Sequence, residues 1–167
     1  MKQITLSRYE LRLVAAQVSR KADGFKPREA IKWGDIAFEL KRSMGQYGVE
    51  CRALIHEAQE VALEPITEAE MNAEIRRINR DLKDLDLSDG TETVDVVLED
   101  GDLAFIIETY LSVPGGGDDE SVDYARSILK ALDNPTPVKI EDGKVVPIEG
   151  SPTPIRRSGS RQQRRAK

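Results

Sequence analysis

The chain has one histidine, His56, in the stretch His56-Glu57-Ala58-Gln59-Glu60. A zinc-protease helix would place a second histidine four positions on, where Glu60 stands. A lone histidine therefore removes two-histidine zinc sites and most general-base arrangements. The one cysteine, Cys51, precedes His56 by five positions. On a helix that spacing sets the two about 140° apart around the axis, too far round for a thiol–imidazole pair. Cys51 reads instead as a small buried apolar side chain. The acidic run from Asp84 through Asp86, Asp89 and Glu92 to Asp95 has the density of a calcium loop. Counting from Asp84, however, the sixth position is Asp89 where glycine is needed, and the twelfth is Asp95 where a bidentate glutamate is needed. A solvated acidic loop is the expected role. Gly115-Gly116-Gly117 could cradle a phosphate, but Asp118, Asp119 and Glu120 follow at once and would repel it, so the triplet reads as a joint. No phosphate-loop signature, dinucleotide fingerprint or nucleophile elbow is present. These readings point away from an enzyme, and they call for no cofactor and no metal.

The residues least required by folding lie at the other end. Arg156, Arg157, Arg161, Arg164, Arg165 and Lys167 fall within residues 150–167, which contain no acid. Paired guanidinium groups suit contact with phosphates or with an acidic protein surface, each through forked hydrogen bonds. Nucleic-acid binding by such an arm would run on charge and depend strongly on salt, and the absence of aromatic side chains speaks against stacking on single strands. A second possible target is the acidic block at residues 84–125, which carries 13 acidic and no basic side chains, on the same chain or on another copy.

At 167 residues with a net charge of −5, the chain suits one ordinary domain plus a tail. Its 33% charged residues exceed the usual share, but leucine, isoleucine and valine recur at regular spacing, so most of it should fold. No apolar run reaches the roughly 20 residues of a membrane span, and no basic-then-apolar leader opens the sequence. The expectation is a cytoplasmic protein without a membrane partner.

The elements needed to position these residues can be placed from local grammar. Ser7 with Glu10 and Thr67 with Glu70 each form a capping box, flanked by the staples Leu6/Leu11 and Ile66/Met71, so helices should begin at Arg8 and Glu68. The first should run to about Lys21 and bury Leu11, Val14, Ala15 and Val18. A second should start near Pro27 and carry Ile31, Phe38, Leu40 and Met44, with a kink or restart at Gly34-Asp35. A third, Val49 to Leu63, has a broad apolar face and should be central. The fourth, to about Asp84, has a narrow seam of Met71, Ile75, Ile78, Leu82 and Leu85 that suits packing in a helical hairpin, with Arg76, Arg77, Arg80 and Lys83 left in solvent. A short strand is expected near 93–98 and a helix from Asp100 or Asp102 to Pro114. Another helix should run from about Glu120 to Leu132, burying Val122, Ala125, Ile128, Leu129 and Leu132. A hairpin near 138–146 should turn at Asp142-Gly143. The fold class is thus mainly α: a single helical domain over residues 1–149, with small β elements and an extended or disordered basic arm at 150–167.

The opening MKQITLSRYELRLVAAQV resembles the openings of small uncharacterised accessory proteins encoded by tailed bacteriophages, and VVLEDGDLAFIIETYL is similar in character. The resemblance implies a virion-associated or assembly role, in the host cytoplasm or the virion, and assigns no residue a function. The expected function is that of a non-enzymatic interaction or assembly protein whose basic arm engages a protein partner or copies of itself. The alternative is a nucleic-acid-binding accessory protein that contacts phosphates through the arm.

Overall fold

The fold is seen in a computed structural model of the chain, which describes residues 1–22, 26–112, 119–148 and 150. The element order is β1 (Lys2–Ser7), α1 (Arg8–Ala22), α2 (Pro27–Ser43), α3 (Gly45–Val61), α4 (Glu68–Leu87), a 3-10 turn at Asp89–Thr91, β2 (Thr93–Leu98), α5 (Asp100–Ser112), α6 (Asp119–Asp133), β3 (Thr136–Glu141) and β4 (Lys144–Pro147). The architecture is mainly α, as expected, with a four-stranded sheet in the order β2-β1-β3-β4.

Both capping boxes form. The Glu10 amide donates to Ser7 Oγ at 3.1 Å while the Ser7 amide donates to Glu10 Oε2 at 2.9 Å, and Thr67 and Glu70 repeat the exchange. Two of the orphan amides at each helix start are thereby satisfied. The turn at Asp142-Gly143 has φ values of 50° and 74°, the left-handed pair that a two-residue hairpin turn demands, and it sets Glu141 opposite Lys144.

The sequence reading needs correction at the first strand. Residues 2–7 form a strand that runs into the capping box at Ser7, and it is a central one: β1 pairs antiparallel with β2 along its whole length, Lys2 facing Leu98 and Ser7 facing Thr93, and with β3 at Lys2 and Gln3. Ile4 and Leu6 point to the same face as Val96 and Leu98, and all four are buried. This face joins Leu11, Val14, Ala15 and Val18 of α1, Trp33, Ile36 and Leu40 of α2, Leu103 and Ile106 of α5, and Ile128 and Leu132 of α6 in one apolar cluster. Aromatic rings lock the layers edge to face, Trp33 on Phe105 at 5.1 Å and Tyr9 on Tyr124 at 4.7 Å.

The second helix is continuous through Gly34-Asp35, and its phase differs from expectation. Trp33, Ile36, Ala37 and Leu40 face the core, whereas Ile31 and Phe38 are exposed. Ile31 and Leu40 lie on opposite sides of a helix at about 100° per residue, so one core could not take both. A Gly45 with φ 59° ends α2 and redirects the chain into α3, so that the third helix begins four residues before Val49. Only its first half is central. Tyr47, Gly48 and Cys51 are buried there and Val61 is buried at the helix end, whereas Val49 and Ile55 are exposed; α3 packs on α4 in a hairpin that buries Ile78. Val122 of α6 is likewise exposed rather than buried. Pro114 and the triglycine fall outside the described residues.

Candidate functional site

The strongest convergence of polar side chains joins α1, α3 and α4. Arg12, on the first helix, sends Nη2 to Asp86 Oδ2 at 2.6 Å; Asp86 is drawn inward near the end of α4. The Tyr47 hydroxyl donates to the other oxygen of the same carboxylate at 2.7 Å, and Cys51 lies one helical turn beyond Tyr47. Arg12 also stands over the ring of Tyr9 at 5.2 Å. Gly90 closes the site. A methyl group there would meet Tyr47 Cε2 and Tyr9 Cβ at 3.3 Å each, so the backbone lies against the Tyr47 ring and the Tyr9 side chain more closely than a larger residue could without a small shift of one of them.

This cluster holds its groups in their unreactive forms. Burial, then the bond to Asp86, pushes the Tyr47 hydroxyl far above its ordinary value, and burial also raises the Cys51 thiol. A nucleophile or base would need the opposite shift. Asp86 accepts on both oxygens, so the cluster acts as a latch that ties three helices together. The other acids of the would-be calcium loop disperse. Asp95 sits on β2 and accepts from the Thr5 hydroxyl at 2.6 Å, and Glu92 pairs with Arg8 at 3.0 Å. Among the described residues no group of three or more His, Cys, Asp or Glu side chains is placed to hold a metal ion.

His56 is an exposed residue of α3 within 3.5 Å of Glu60, the residue that replaces the second histidine of a zinc helix. Cys51 is buried, as expected of a small apolar side chain. Arg77, off the seam and 38% exposed, also bridges the hairpin at its surface: it pairs with Glu57 across the helices and with Glu74 and Asp81 at 3.0 Å each. The proposed contact residues Arg156, Arg157, Arg161, Arg164, Arg165 and Lys167 lie outside the described residues.

The surface is where the fold leaves groups unused. A cleft between α2 and the β2–α5 junction is rimmed by Asp35, Glu39, Glu99 and Asp102, with Lys32 among them. Lys32 reaches Asp102 at 3.9 Å and caps the Phe105 ring at 4.0 Å. Large apolar side chains stand exposed on several elements, among them Ile31 and Phe38 on α2, Val49 and Ile55 on α3, Leu63 just after it, Leu87 at the end of α4, and Ile140, Val145 and Ile148 on and after the β3–β4 hairpin. Sequence reasoning assigned Ile31 and Phe38 to the core. The competing set Trp33, Ile36, Ala37 and Leu40, at steps of three, one and three, was the signal for the other face. No helix among the described residues is long and apolar enough to cross a membrane. Compared with protein-family models, curated proteins and solved structures, the chain matches none.

Proposed function

We propose that this chain is a non-enzymatic interaction or assembly protein, engaging a partner through Arg156, Arg157, Arg161, Arg164, Arg165 and Lys167. The observation that carries the reading is the set of large apolar side chains left exposed on α2, the α3–α4 hairpin and the β3–β4 hairpin in a chain of which 33% is charged. So charged a chain has polar residues to spare for covering its surface, and apolar groups kept outside on regular elements mark places where another surface is received. The latch of Arg12, Tyr47 and Asp86 supports the same reading, since it commits largely enclosed polar groups to tying three helices together. The resemblance of the opening segment to phage accessory proteins makes virion assembly the setting we favour.

Deleting residues 150–167 tests the arm. The truncated chain should lose a partner that the full chain retains from its native source at low salt, and unchanged retention would remove the arm from the reading. Duplex DNA or RNA supplied as the probe separates the second reading. A binding constant that falls steeply with salt for the full chain, and is absent after deletion, would favour nucleic acid as the partner.

A further inference from the structure

The exposed face of α2 has the composition of a helix that meets its own copy. Ile31 and Phe38 are 65% and 64% exposed. Seven positions apart, they fall within about 20° of one line along the helix, roughly 10 Å from each other. Gly34 lies between them, and a Cβ built there would touch nothing within 4 Å. The fold itself therefore does not ask for glycine at that point, although glycine weakens a helix interior. A second helix crossing close over the stripe would ask for it. We propose that α2 pairs antiparallel with α2 of a second copy, about a two-fold axis passing between Trp33 and Gly34. The proposal rests on the interaction reading only in taking exposed apolar groups as contacts.

The charges beside the stripe select this occupant. Arg28, Lys32, Asp35 and Glu39 all project to one flank, at about 40° to 100° from the line of Ile31. A two-fold axis of an antiparallel pair brings like flanks together, so that each residue meets the one whose number complements its own about the axis. Arg28 then faces Glu39 of the second copy, a contact that occurs twice, and Lys32, which in its own chain stands 3.9 Å from Asp102 and over the Phe105 ring, comes level with Asp35 of the second copy. Within a single chain, Arg28 and Glu39 enter none of the ion pairs among the described residues. Arg28 also sits at the second position of α2, where the helix dipole disfavours a cation. Its charge is thus of more use between copies than within one. A single pair of helices about 25 Å long buries less than a standard interface, so the association should be weak, with a dissociation constant on the order of tens of micromolar.

Sedimentation of the full chain over a concentration series at low salt should show a monomer–dimer equilibrium. Arg28→Glu and Glu39→Arg should each weaken it by about tenfold or more, since two attractions become two repulsions. An equimolar mixture of the two variants, and the chain carrying both, should recover it. Arg28→Glu also places an acid in the first helical turn, so its melting temperature should hold or rise while its association falls. Phe38→Asp should abolish the dimer. A chain that stays monomeric to about 1 mM overturns the proposal, as does self-association that ignores both charge reversals or is not restored by combining them. Such a failure leaves the arm reading standing, because that reading is scored by partner retention after deletion of 150–167.

Discussion

The guanidinium of Arg12 meets the carboxylate of Asp86 at 2.6 Å across 74 positions of sequence, and Tyr47 completes the carboxylate's partners from a third helix. Removing the acid leaves a largely enclosed cation with no counter-charge. Asp86→Ala should lower the unfolding free energy by about 2 kcal/mol, below the 3–5 kcal/mol of a fully buried pair because both side chains keep some exposure. The midpoint of urea unfolding reads this directly. Arg12→Met with Asp86→Leu together should cost less than Asp86→Ala alone, since no orphaned charge remains.

Alkaline titration should expose the same latch. Tyr47 is held far above the ordinary 10.0 by burial and by its bond to Asp86, and Cys51 is raised from 9.0 by burial. Both groups keep their protons longer in the folded chain than in the unfolded one. The stability they contribute is full below the unfolded values and declines from about pH 9 upward. Tyrosinate absorbance should therefore show a late component that appears only as the fold is lost. Tyr47→Phe should diminish it, leaving a smaller contribution from Tyr110, which burial also raises.

The two helix caps differ in their surroundings and should differ in effect. Ser7→Ala breaks a part-buried box at the junction of β1 and α1 and should cost about 1 kcal/mol in thermal or urea unfolding. Thr67→Ala, in an exposed box, should cost less. At the second box the Thr67 hydroxyl, then its backbone amide, hold the Glu70 carboxyl below its ordinary 4.5. That contribution is present above the unfolded value and fades as pH falls through the folded one, so Glu70→Gln should flatten the acid limb of the stability profile and leave the alkaline limb unchanged.

What was legible in the sequence was local. The capping boxes, the Asp142-Gly143 turn and the alternating Thr93–Leu98 strand each carry their instructions within a few residues, and each forms where those instructions say. β1 was missed because Lys2 to Ser7 carries only Ile4 and Leu6 as apolar residues, and its identity as a strand comes from Leu98 and Pro137, both distant in sequence. The phase of α2 was misread because it holds two apolar sets, and only the cluster around Trp33 finds neighbours. The latch had no signal at all, since nothing in a single chain of letters couples position 12 to position 86. The surface stripe of α2 emerges only once the core has chosen the other face.

The place of β1 between β2 and β3 has a consequence for the order of assembly. As the chain leaves the ribosome, its opening strand has no edge to join until Thr93–Leu98 has been made, and its second neighbour, at Thr136 and Pro137, arrives later still. The pairs α1–α2 and α3–α4 can gather early through nearby contacts, but closing the sheet requires a search across most of the polypeptide. Until then the strand-pairing groups of β1 are left unpaired, so the nascent chain is most vulnerable to wrong association in the interval before β2 and β3 are synthesised.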